Sequence, residues 1–265
     1  LLTILPSERP CAIQLFGDDP DIMAKAALDA YELVHPDWVD INMGCPAPKI
    51  AGNHCGSALM RDPLLCEKIV SAITKVVPVP VTAKIRKGYA KDEVNAVEVA
   101  KALESGGASM VTVHGRTRDQ MYAPPVDWDC IRDVKQAISI PVVGNGDVID
   151  GPSAKALYEH TGCDMVMVGR GALGRPWVFA EIKAFLEGKP FLEPSVEEKM
   201  QILLRQVRLT IEQKGEKVAM VQSRKHTAWY MKGMQGASEF RKMAGTISHY
   251  ADLEMLCEQV VLKNR

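Results

Sequence analysis

The sequence predicts an α/β fold of the TIM-barrel type followed by a small all-helical domain. Three observations carry this. Six short apolar runs alternate with longer helical patterns. Polar or glycine-bearing residues follow every one of those runs. Strand-like patterning then stops at Pro194.

The strand candidates are Ala12–Phe16, Trp38–Met43, Val81–Ile85, Met110–Val113, Pro141–Val143 and Met165–Val168. Val and Ile dominate them, and several are apolar on both faces, as strands buried in a parallel sheet are. Helical patterns lie between them, over about Asp21–Val34, Pro63–Val76, Glu93–Glu104, Asp129–Ala137, Pro152–His160 and Pro176–Leu186. Pro63, Pro152 and Pro176 suit a first helical turn, and Gly106, Gly107 and Gly162 fall where helices should stop. Strand–helix alternation of this kind means a parallel sheet. After Pro194, Ser195-x-x-Glu198 matches a capping box that opens a helix to about Gln213. Helices over about Val218–Lys232, Glu239–Ile247 and Asp252–Lys263 follow. The expected division is a barrel over residues 1–187, a linker over 188–194 and a helical domain over 195–265.

Composition narrows the class. Of 265 residues, 47% are hydrophobic and 25% charged, an ordinary globular balance that needs no metal or disulfide staple. The net charge of −1 names no partner, but from Ser195 onward twelve Lys/Arg face eight Asp/Glu. The seven cysteines form no C-x-x-C pair and no metal spacing, which reads as free thiols in a reducing compartment. No run reaches the roughly 18 apolar residues of a membrane span, and no signal-peptide pattern opens the chain. The expectation is a cytoplasmic monomer without a metal site, acting neither at a membrane nor on DNA.

The residues after the strands say more. They are Gln14 and Gly17; Asn42, Gly44, Cys45 and Pro46; Lys84, Arg86 and Gly88; His114, Gly115, Arg116 and Thr117; Gly144, Asn145, Gly146 and Asp147; and Gly169, Arg170 and Gly171. A doubly wound sheet gathers ligand groups at one switch point, whereas a barrel rings its whole top face with them. Six strands so marked favour the barrel. Lys84 inside an apolar run is costly to bury without an anionic partner. Glycines let backbone N–H groups approach an anion and Arg170 adds a fork of donors, so the last two loops read as a phosphate site. Barrels place such a site after strands seven and eight. Counting back makes Ala12–Phe16 strand three, so the chain is expected to lack strands one and two. A lone cysteine is usually a small buried hydrophobe. Cys45 differs, because it stands in a glycine-bearing loop on the active face, where a thiol can act as a general acid. Cys55, in the same long loop, is a weaker candidate than Cys45 and reads, like the other five, as a small buried hydrophobe.

Together, Asp40-Ile41-Asn42-Met43-Gly44-Cys45-Pro46, Lys84-x-Arg86-x-Gly88, Val113-His114-Gly115-Arg116-Thr117, Asn145-Gly146-Asp147 and Gly169-Arg170-Gly171-Ala172-x-Gly174-Arg175-Pro176-Trp177 resemble the tRNA-dihydrouridine synthases, the bacterial B-type (DusB-like) subgroup above all. The resemblance covers almost the entire chain. It implies reduction of the C5–C6 bond of particular uridines in tRNA, with FMN as cofactor and NADPH as reductant. Hydride would pass from flavin N5 to C6, and Cys45 would give the proton to C5. Gln14 would bond the isoalloxazine edge, Lys84 would stabilise anionic reduced flavin, and His114 would lie beside the cofactor. Asn145, Gly146 and Asp147, with Gly169 and Arg170, would hold the FMN phosphate. Asn42 and Arg116 would meet the substrate. The helical domain would grip tRNA, with Arg224-Lys225-His226 matching the family pattern and Arg205, Arg208, Lys225 and Lys232 as phosphate contacts. The target uridine would be flipped out of its stack. The family also carries two earlier strands and a flavin-touching Pro-Met-Ala-type turn, so a chain without them is expected to close its barrel and bind FMN poorly.

Two other functions fit parts of this pattern. A small-molecule FMN barrel, of the dihydroorotate dehydrogenase or ene-reductase type, shares the phosphate site but does not call for a basic helical tail. A non-catalytic tRNA-binding protein shares the tail but leaves Cys45 and Lys84 without a purpose.

Overall fold

Residues 2–265 are described by a computed structural model. Among them, six strands form one parallel sheet in strict chain order: β1 (Ala12–Leu15), β2 (Trp38–Met43), β3 (Val81–Gly88), β4 (Met110–Thr117), β5 (Val142–Asn145) and β6 (Met165–Met167). Helices α1 (Pro20–Val34), α2 (Pro48–Ala51), α3 (Pro63–Thr74), α4 (Ala96–Ser105), α5 (Trp128–Ala137) and α6 (Gly151–Thr161) fall between the strands. A parallel sheet that adds strands in chain order, each through a helical connection, is the arrangement of a TIM barrel; a doubly wound sheet reverses its order.

Sequence explains the local structure. Pro20 and Pro63 open α1 and α3, where a missing N–H costs nothing. Asp19, Asp62 and Asp127 cap α1, α3 and α5 by accepting from backbone N–H groups of the first turn. Side chains alternate across each strand. One face carries Ile13, Val39, Ile41, Met43, Val81, Ala83, Ile85, Val111, Val113 and Val142, all buried. Burial of each larger member contributes about 1.5–3 kcal/mol before entropy is counted. The other face carries the polar residues described below.

Several boundaries differ from the sequence expectation. The runs expected to end at Ile85 and Val113 continue as strand to Gly88 and Thr117, because polar Lys84, Arg86, His114 and Arg116 occupy alternate positions and the ladder continues through Arg86 and His114. The helix expected from Glu93 begins at Ala96, since Val94 bridges back to Gly88. The one expected from Pro176 begins at Val178. A short helix α2 and a 3-10 turn over Gly56–Arg61 fill the loop after β2, where no element is expected.

The chain divides into two compact units. The first takes in the chain up to Val148 together with Ser153–Val168; the second takes in Ile149–Pro152 and Gly169–Arg265. The second therefore includes α7 (Val178–Leu186), which the sequence groups with the barrel, as well as α8 (Val196–Lys214), α9 (Glu216–Tyr230), α10 (Ala237–Ala244) and α11 (Tyr250–Lys263). The expected capping box is present: Ser195 accepts from the Glu198 N–H while Glu198 accepts from the Ser195 N–H. Trp177, Met200, Leu203, Val207, Met220, Tyr230, Phe240, Leu253, Leu256 and Val260 form its core. No helix among the described residues is long and apolar enough to cross a membrane.

Candidate functional site

Strand register gathers the polar residues. Gln14 pairs with Asp40, and Asp40 with Thr82. Asn42 pairs with Lys84, Arg86 with His114, and His114 with Asn145. Paired residues of adjacent strands share a face, so these side chains form one band across the polar face of the sheet.

The Cys45 turn hangs on that band. Asn42 Oδ1 accepts from the backbone N–H groups of Gly44 (3.1 Å) and Cys45 (2.9 Å). Asn42 Nδ2 donates to Gln14 Oε1 at 3.1 Å, and Gln14 Nε2 donates to Asp40 Oδ2 at 2.7 Å. Thr82 Oγ1 donates to Asp40 Oδ1 at 2.6 Å. Burial raises the Asp40 carboxyl above the usual carboxylate range, while the Thr82 and Gln14 hydrogen bonds and the Lys84 charge oppose the rise. Cys45 is half-buried. Gly56 keeps the turn closed from the other side: at φ +60°, a Cβ there would meet Cys45 O at 3.0 Å. Cys55 is buried, with Sγ on the Asn53 carbonyl, and burial followed by Asp18 pushes its thiol up.

Lys84 lies beside this chain. Burial lowers its ammonium to about 8, with the Arg86 charge adding to the fall and Asp40 opposing it. His114 is buried, and desolvation with the charges of Lys84, Arg86 and Arg116 holds it down at about 3. It is therefore neutral at pH 7, and its Nε2 lies 3.5 Å from the Arg116 guanidinium.

Two buried arginines brace the loops. Arg86 donates to the carbonyls of Gly44 (2.7 Å), Thr117 (3.0 Å) and Met121 (3.1 Å), linking the Cys45 turn to the segment after β4. Arg116, 1% exposed, donates to the Ala123 carbonyl and makes a bidentate pair with Asp147, at 2.9 and 2.6 Å. The sequence expectation puts Arg116 on the substrate; the structure turns its donors inward. The braced loop exposes Met121 and Tyr122.

Asn145 donates to the Met167 carbonyl at 3.0 Å. Gly146 at φ +149° and Asp147 at φ +58° then turn the backbone sharply. The Asp147 carboxylate is paired with Arg116. Gly169 and Arg170 belong to the second unit. A Cβ at Gly169 would meet nothing within 4 Å, and Arg170 opens a 3-10 turn over Arg170–Ala172.

In the second unit, Arg205 and Arg208 come together. Both are exposed on α8 and line a groove of about 710 Å³ with Tyr250 and Arg265, opposite Glu254 and Glu258 of α11. Lys225 and Lys232 are exposed elsewhere, Lys225 Nζ lying 5.7 Å from the Trp229 ring. Arg224 instead donates to the Ile247 carbonyl.

Asp40 and Arg86 join the hydrogen-bonded framework of this band without a role expected from the sequence. For Asp40 the available signal is its spacing of two from Asn42, which puts both on one face.

Comparison with known proteins agrees with this picture. The family model for dihydrouridine synthase (Dus) matches residues 2–265. Among curated relatives, tRNA-dihydrouridine synthase B of Pasteurella multocida is 40% identical over 238 residues, 89% of this chain and 71% of its own. The proteins of that name from Proteus vulgaris and Vibrio vulnificus are 41% and 42% identical, each covering 89% of this chain and 73% of the relative.

Proposed function

The chain belongs to the dihydrouridine synthase family, and on that premise we propose that it is an oxidoreductase that reduces the C5–C6 bond of uridine in tRNA, with Cys45 as the proton donor. The observation that carries this is the Cys45 turn, fixed at the end of β2 within the band that holds Gln14, Lys84 and His114.

The band suits a flavin. Gln14 is exposed and keeps a second N–H beyond the one given to Asp40. Lys84 is a partly exposed cation beside the band, and His114 is a neutral imidazole. The Asn145–Gly146–Asp147 turn would meet a phosphate through its backbone, its one carboxylate already paired with Arg116. Gln14, Lys84, His114 and the Asn145–Asp147 turn would therefore hold FMN; on sequence grounds Gly169 and Arg170 are further phosphate ligands. When bound and recharged by NADPH, FMN supplies hydride from its N5 to C6 of the uracil ring.

The chain's own residues do the rest. Cys45 delivers its proton to C5. Asn42 retains one Nδ2 hydrogen for a base carbonyl beyond the one given to Gln14. Lys84 would supply positive charge to stabilise the negative charge of a reduced ring held there. Arg116 holds Asp147 rather than substrate. Arg205, Arg208, Lys225 and Lys232 attract the tRNA backbone, and the uridine leaves its stack to reach Cys45.

The test is Cys45→Ala, assayed for dihydrouridine in tRNA. The expected result is loss of product with flavin and tRNA binding retained. Unchanged product would refute the acid role. Turnover of a small ene substrate with no response to tRNA would favour a small-molecule flavoenzyme.

A further inference from the structure

We propose that Asp40 is a positioning residue: its carboxylate sets the amide orientations of Gln14 and Asn42 and thereby holds the Cys45 turn. This rests on the reading of Cys45 as proton donor. The chain of contacts has only one possible direction. The N–H groups of Gly44 and Cys45 can only donate, so Asn42 must present its oxygen to them. Its Nδ2 then faces Gln14, which must answer with Oε1. Gln14 Nε2 is left facing β2, and there it meets Asp40 Oδ2 at 2.7 Å. An ionised carboxylate only accepts. Asp40 and the backbone of the turn thus lock the two amides from opposite ends.

The surroundings keep Asp40 in that role. Thr82 Oγ1, on a buried residue of β3, occupies Oδ1 and fixes the rotation of the carboxylate. Strand register places Gln14, Asp40 and Thr82 side by side on β1, β2 and β3, so the arrangement does not depend on a loop. Lys84 is the cation acting on Asp40. Without Asp40, the Gln14 amide loses its acceptor and can turn over. Its nitrogen then opposes Asn42 Nδ2, and the Asn42 hold on the turn weakens.

The test reads Cys45 itself. Full-length, flavin-free protein is treated with iodoacetamide, and the Cys45 peptide is followed by mass spectrometry. Asp40→Leu is expected to raise the alkylation rate about fivefold, the population change that one lost hydrogen bond produces. Asp40→Asn keeps an oxygen for Gln14 and offers its NH₂ to Thr82 Oγ1, so its rate should stay within about twofold of the parent. Loaded with flavin, the Leu variant should lose kcat while KM for tRNA holds. If Asp40→Leu does not fold, Gln14→Leu cuts the same chain from an exposed position and should give the same acceleration. Parent-like alkylation in the folded Leu variants, or an Asn variant as fast as Leu, would overturn the proposal. Continued dihydrouridine formation by Cys45→Ala would instead overturn the proton-donor reading, whatever Asp40 does.

Discussion

Replacing Arg86 by Met would remove the brace between the Cys45 turn and the segment after β4. The Met side chain fills much of the space of the arginine stem, so the change isolates the guanidinium. Three carbonyls lose their donor: Gly44, Thr117 and Met121. Met121 is 44% exposed, so water can replace the donor there. Gly44 and Thr117 are buried, and each orphaned acceptor costs about 1–3 kcal/mol. Relief of a desolvated charge offsets part of this; burial already lowers the Arg86 pKa. The expected net loss is about 3 kcal/mol, read as a lower urea midpoint at unchanged slope. Arg61→Met is the control. Arg61 pairs with Glu93 at the surface, and its removal should cost under about 1 kcal/mol. An Arg86→Met loss no larger than that of the control would refute the brace.

Three further outcomes are expected. Lys84 has a folded pKa near 8, below its ordinary value of 10.5, so its charge opposes folding in full below about 8 and progressively less up to the ordinary value. Lys84→Met should therefore melt higher than the parent at pH 7 in flavin-free protein, with the gap closing as pH rises through that window. Gly174→Ala should destabilise the helical unit by about 3 kcal/mol or more, since the new Cβ would sit 2.5 Å from the Trp229 backbone at φ +71°; a urea series on the variant measures this. Arg208→Ala should weaken tRNA binding and lower the salt dependence by about one counterion, which filter binding across a salt series would detect.

Much of the fold is legible in the sequence because apolar strands between helical patterns leave few alternatives. Trp38–Met43 stands at both expected ends. The strands β3 and β4 are under-read because a one-sided polar band looks like the end of a run. It is the alternation of Lys84 with Ile85 and of His114 with Val113 that keeps them extended. Arg116 shows why site roles are harder to read. Its burial depends on Asp147, a partner 31 residues away, and no local pattern reports it. Asp40 is hidden for the same reason, since its use needs the register of β1 against β2.

The two-faced strand β3 also has an evolutionary consequence. Deleting Ala83 would rotate the rest of the strand by one face. Two cations would then enter the apolar layer, and Ile85 would face the reaction. Length changes among relatives should therefore be purged from 81–88 and tolerated in segments such as 188–194. The register of β3 makes its length a structural constraint of the same kind as the side chains it carries.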